Sequence, residues 1–69
     1  MNRYSYWVGN VGSIVLCRCQ AGESTEYAAS KGEFDWRQNA SDPDVLEFAS
    51  EDAARNEAGN RGINPADVR

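Results

Sequence analysis

Residues 4–20 read YSYWVGNVGSIVLCRCQ, and the role of the four residues GNVG at 9–12 decides the fold. A glycine loop that cradles a phosphate needs a helix after it, with its amino terminus turned toward the anion. After Gly12 comes Ser-Ile-Val-Leu-Cys, the β-branched and aliphatic composition of a strand. A Gly-x-x-Gly clamp on a nucleic-acid backbone sits between helices, whereas both flanks here are strand-like and carry little positive charge. The stretch therefore reads as a β-hairpin. With Gly9-Asn10 as a two-residue turn, Val8 faces Val11; with the whole of GNVG as the loop, Val8 faces Ser13. Both registers place Tyr4, Tyr6, Val8, Val15, Cys17 and Cys19 on one face and Ser5, Trp7, Ile14, Leu16 and Arg18 on the other, because side chains alternate along a strand. In this reading Gly9 and Asn10 take the positive φ, and Gly12 makes room for the Trp7 ring.

Downstream, QAGESTEYAASKG at 20–32 is small, polar and bounded by glycine, which predicts a loop or a single helical turn around Tyr27-Ala28-Ala29. GEFDWRQ at 32–38 alternates Phe34 and Trp36 with Glu33, Asp35 and Arg37, the pattern of a strand with one wet face. NASDPD at 39–44 is turn chemistry. Two readings compete beyond it. Ser41 could cap one long helix over 41–58 with Pro43 in its first turn, or VLEF at 45–48 could be a fourth strand with Ser50 capping a shorter helix. The second is preferred, since 45–48 is β-branched and aromatic while EDAARNEA at 51–58 is rich in helix formers. Gly59 and Gly62 supply the stop, and Pro65 prevents further helix. The expected fold is α+β: a single domain over 1–69, with an antiparallel sheet of three to four strands (about 4–9, 12–20, 33–38 and 45–49) and one C-terminal helix (about 51–60). Ala53, Ala54 and Ala58 would let that helix sit close to the sheet.

A chain of 69 residues buries only about 60% of its unfolded surface, so its core is thin. Its net charge of −4 is unevenly placed. Residues 1–22 carry Arg3 and Arg18 and no acid; residues 23–57 carry ten acids against Lys31, Arg37 and Arg55, a balance of −7; residues 58–69 add +1. An acidic belt repels phosphates. That argues against direct nucleic-acid binding and for a basic protein surface as partner. No apolar run reaches the roughly 20 residues of a membrane span. The opening MNRYSYWV lacks the long apolar stretch of a secretory leader. A cytoplasmic protein with reduced Cys17 and Cys19 is expected.

Catalytic and metal chemistry find few residues to work with. There is no histidine, so the usual base for a serine or cysteine nucleophile is missing. Cys17 and Cys19 share a strand face, but a structural zinc site takes four ligands; two small hydrophobes is the better reading. The stretch DPDVLEFASED lacks the mid-loop glycine of a calcium loop. The expectation is no enzyme, no metal and no cofactor. Asp42, Asp44, Glu47, Glu51, Asp52 and Glu57 crowd one third of the chain and are the candidate protein-binding residues. Most of the seven aromatics must form the core, and any left at the surface would serve as binding anchors.

In length, acidity and lack of catalytic groups the chain resembles the small acidic proteins of phages and mobile elements that inhibit host machinery, and among these it is most similar to the anti-CRISPR proteins. The resemblance covers the whole chain in character and rests on no motif. It implies a stoichiometric inhibitor in a bacterial cytoplasm, binding a subunit of a type I CRISPR surveillance complex and presenting carboxylates where DNA phosphates would sit, as a DNA mimic. The alternative is a small structural or assembly domain that dimerises, weakly, through its sheet face.

Overall fold

In a computed structural model that describes residues 3–69, the hairpin forms as two seven-residue strands, β1 (Tyr4–Asn10) and β2 (Ile14–Gln20). The turn between them is neither of the two expected. Asn10 pairs with Ile14, which leaves a three-residue loop, Val11-Gly12-Ser13. The left-handed residue is Gly12, at φ +97°. The Asn10 side chain accepts from the Gly12 N–H at 3.0 Å, an interaction that favours this tighter loop over the open GNVG. A change of one residue in register moves every side chain of the second strand to the opposite face. Ile14, Leu16 and Arg18 therefore share a face with Tyr4, Tyr6 and Val8, while Val15, Cys17 and Cys19 lie behind with Ser5 and Trp7. Gly9 lies within β1, where a Cβ would come within 2.8 Å of the Cys17 Sγ.

The remaining strands are β3 (Glu26–Ala28) and β4 (Trp36–Arg37), giving an antiparallel sheet in the order β1-β2-β3-β4. The fold is α+β, as expected, but three elements differ. Tyr27-Ala28 is strand rather than loop or helical turn, drawn in by the Arg18–Glu26 ion pair at 2.8 Å across the β2–β3 register. The strand at 33–38 contracts to Trp36–Arg37, because Asp35 accepts from the Lys31 N–H at 3.0 Å and the Asp35 N–H donates to the Gly32 carbonyl at 3.1 Å, curling 31–35 into a loop. Residues 45–48 precede the helix, but they are not the expected fourth strand: they meet the sheet only through single bridges, Val45 to Ala29 and Phe48 to Ile14.

The helix α1 (Glu51–Asn60) starts where the capping serine predicts, with the Ser50 Oγ accepting from the Ala53 N–H at 3.2 Å. Glu51 and Asp52 stand in the first turn, where the helix dipole favours negative charge. It ends at Gly62, φ +79°. The Ile63 N–H donates back to the Ala58 carbonyl at 2.9 Å and the Gly62 N–H to Gly59 at 3.1 Å, a left-handed cap that only glycine adopts without cost. Ala54 and Ala58, both fully buried, meet Leu16, Ala28 and Val68 in the core, with Tyr6, Val8, Ile14, Trp36, Phe48 and Ile63 packed around them. After a 3₁₀ turn at Pro65–Asp67, the backbone of Arg69 lies along β1: its N–H donates to the Tyr6 carbonyl at 2.9 Å and its carbonyl accepts from the Val8 N–H at 3.0 Å.

Candidate functional site

The six acidic candidates do not form one face. Strand β4 sets Arg37 on the side of the sheet away from the helix, and its guanidinium gathers three of the chain's aspartates. Asp35 meets it at 2.6 and 3.1 Å, Asp42 at 3.0 Å and Asp44 at 3.2 Å. Asp42 also accepts from the Asp44 N–H at 2.9 Å, closing the turn over Pro43, and Lys31 approaches Asp44 at 3.6 Å. Asp42 and Asp44 thus stitch the 39–45 connection to the sheet, and their charge is matched by Arg37 and Lys31. Glu57 is taken up by Arg61 at 2.6 Å. Glu51 is the least committed of the paired acids, 62% exposed and 3.7 Å from Arg55. Glu47 accepts from the Ser13 hydroxyl at 2.7 Å. Asp52 is exposed and makes no ion pair among the described residues. Of the six candidates, Glu47, Glu51 and Asp52 are left as a short acidic edge at 47–52, where the connection enters the helix; elsewhere in the belt Glu23 and Glu33 are exposed and make no ion pair among the described residues.

The aspartates around Arg37 are tuned by that arrangement. Hydrogen bonding from Arg37, helped by the Lys31 N–H and by the charges of Arg37 and Arg61, holds the Asp35 carboxyl below its usual 3.8. The Asp44 N–H, followed by Arg37, does the same for Asp42. Both groups have lower pKa values folded than unfolded, so the stability they contribute is present above about pH 4 and is lost as pH falls through their folded values. A series of urea melts should show a midpoint that is flat from neutral pH to about pH 5 and falls below pH 4. Arg37→Gln should lower the neutral plateau and flatten that fall; an unchanged acid limb would show that other carboxylates govern it.

One side chain that sequence pattern assigned to the interior is outside. Phe34 is 88% exposed, on the loop between β3 and β4, while the peptide units on both sides of it are fixed. The Arg61 Nη1 donates to the Glu33 carbonyl at 3.3 Å and to the Asp35 carbonyl at 3.0 Å, and its Nη2 donates to the Ala29 carbonyl at 2.6 Å. That side chain is only 2% exposed. A buried arginine from the end of the helix thus grips the base of the loop that holds a phenylalanine in solvent. The signal available in sequence was Lys31-Gly32 before Phe34, a turn pair that interrupts the alternation; nothing there pointed to Arg61.

The rings of Tyr4 and Trp36 are occupied. Arg18 lies 4.2 Å from the centres of both Tyr4 and Trp36, and Arg61 covers Trp36 at 5.2 Å. Such cation–π contacts bind the helix-side face together. Burial pushes the Cys17 thiol up to about 11, against a smaller opposing hydrogen bond from Gly9, so it is not a thiolate at neutral pH. Among the described residues no three Cys, Asp or Glu side chains converge as metal ligands, and no helix is long and apolar enough to cross a membrane. Compared with known proteins, the chain matches no family model, no curated protein and no solved structure.

Proposed function

We propose that the chain is a non-enzymatic protein-binding inhibitor, anchored by Phe34 and oriented by the acidic edge Glu47, Glu51 and Asp52. The observation that carries this is Phe34: a large apolar side chain in water on a loop whose backbone is already ordered. Aromatic anchors of this kind dominate binding energies, and prior ordering lowers the entropy cost of docking. The acidic edge stands at the start of α1 and the Phe34 loop is held from its other end through Arg61, the helix itself being about 15 Å long. A partner would offer an apolar pocket for Phe34 and basic groups facing the start of the helix. The specific form taken from the resemblance is an anti-CRISPR protein occupying a basic groove of a type I surveillance complex. In that form Asp42, Asp44 and Glu57 act in folding rather than contact.

The measurement is binding to the purified surveillance complex, with displacement of its target DNA as readout. Phe34→Ala should weaken binding at least about tenfold with an unchanged circular dichroism spectrum. Glu51→Gln with Asp52→Asn should reduce the salt dependence of association. Displacement of DNA by Phe34→Ala as effective as by the parent chain would sink the reading, as would a parent chain that does not bind at all. The other reading, a dimer through the sheet face, has less support: Val15 and Cys17 on that face are buried, and the 40–45 connection lies beside Val15.

A further inference from the structure

Among the described residues two large apolar side chains stand in water, Phe34 at 88% and Val11 at 49% exposure. They belong to different parts of the surface. Phe34 projects from the loop between β3 and β4, and Val11, in the β1–β2 turn, borders a cleft of about 240 Å³. Val15, Ala40, Pro43 and Val45 supply the rest of its apolar lining. A closed apolar cavity of about 150 Å³ takes a benzene ring, so this cleft has room for one phenyl group. Of the two acids that line it, Asp42 is taken up by Arg37, whereas Glu47 meets no cation among the described residues. The Phe34 loop carries the matching charge. Lys31, three residues before Phe34, is 71% exposed and only loosely paired with Asp44, at 3.6 Å.

We propose that this cleft is a self-association site, that its occupant is Phe34 of a second copy, and that two copies exchange their Phe34 side chains about a two-fold axis. Loop and cleft adjoin on the chain: the Ser30 N–H donates to the carbonyl of Asp44 at 2.8 Å, between the cleft residues Pro43 and Val45. An axis beside that junction brings each loop to the other copy's cleft, and the contact closes at two copies. Phe34 then packs against Val11 and Val15, so that both exposed apolar groups leave water together, and Lys31 meets Glu47 across the interface. A few side chains from each copy fall short of the roughly 1,000 Å² of a stable interface, so the pair is transient. The inference shares the exposed Phe34 with the proposed function and goes beyond it, since the second copy and a partner compete for the same ring.

The test is methyl NMR of the full chain between about 10 μM and 1 mM, the range in which a transient pair forms. As concentration rises, the methyl resonances of Val11, Val15 and Val45 should move upfield under the incoming ring while those of Val68, in the core, stay in place. Sedimentation should approach twice the monomer mass and go no further. Phe34→Ala and Ala40→Trp, which fills the cleft, should each abolish the shifts. Labelled Phe34→Ala keeps its cleft, so unlabelled Ala40→Trp, which keeps its Phe34, should restore them, and unlabelled Phe34→Ala should not. Valine methyls that do not respond to concentration overturn the proposal, as do shifts that survive in Phe34→Ala or a mixture that restores nothing. If Ala40→Trp does not fold, Glu47→Lys decides: it should weaken the association by setting two cations together, and an unaltered concentration dependence overturns the docking mode. Ala40→Trp should bind the surveillance complex as the parent chain does, whereas Phe34→Ala weakens both contacts, so failure of self-association is distinguishable from failure of Phe34 as an anchor.

Discussion

Arg61→Ala is expected to remove a large part of the protein's stability, seen as a marked drop in its urea midpoint. The side chain is 2% exposed and its guanidinium joins Glu57 on the helix to the carbonyls of Ala29, Glu33 and Asp35 at the base of the β3–β4 loop. Its removal takes a donor from three carbonyls and a carboxylate, of which the Asp35 carbonyl keeps the Ala29 N–H at 2.8 Å. Losing one partner of a buried charged network costs about 3–5 kcal/mol, and a chain of this length is stable by roughly 3–10 kcal/mol in all. Arg61→Lys should recover only part of the loss, since one ammonium cannot reach acceptors spread across a planar fork. Glu57→Gln supplies the contrast. It keeps all three carbonyl bonds and removes a partly exposed ion pair, so a change of about 1 kcal/mol or less is expected. Equal damage from Glu57→Gln and Arg61→Ala in urea denaturation would mean that the ion pair, and not the grip on the backbone, is what matters. Because Arg61 also sets the base of the Phe34 loop, Arg61→Lys should weaken partner binding even where enough folded protein remains to measure it.

Leu16→Ala should cost about 2–5 kcal/mol, enough to bring the population of folded molecules close to balance. Leu16 is fully buried and, with Val15, is one of the two largest side chains that are. Its neighbours in the core are Ala28, Ala54, Ala58 and Val68. Alanines have no rotamers with which to fill a void, so collapse would require the helix backbone itself to move. Leu16→Met, close in volume, should cost less than about 1.5 kcal/mol. Similar urea midpoints for the alanine and methionine variants would show that the helix settles onto the sheet and closes the gap.

Several parts of this structure were legible in residue order because their causes are local. Ser50 followed by Glu51 and Asp52 marks the start of the helix, and Gly62 marks its end, since capping involves residues within one turn of each other. The two long strands and the turn between them were legible from composition. Hidden from that reading was the parity of the hairpin. A three-residue loop differs from the two- and four-residue loops by a single position, yet it decides whether Leu16 or Val15 faces the helix. Strand β3 was hidden for a related reason. Ala28 has little strand preference of its own, but it is fully buried in one cluster with Leu16 and the helix alanines.

The acidic belt shows the same division. Sequence by itself determined the excess of carboxylates in residues 23–57, the α+β class and the helix limits, because each depends on composition or on neighbours along the chain. Only the tertiary structure decided which of those charges are free. Arg37 and Arg61 find their acids through distances set by sheet register and helix docking, and Phe34 is displaced into solvent because Asp35 and Arg61 close the loop beneath it. Charge counts along a chain carry no information about direction, and direction separates a carboxylate that meets a partner from one that holds a loop in place.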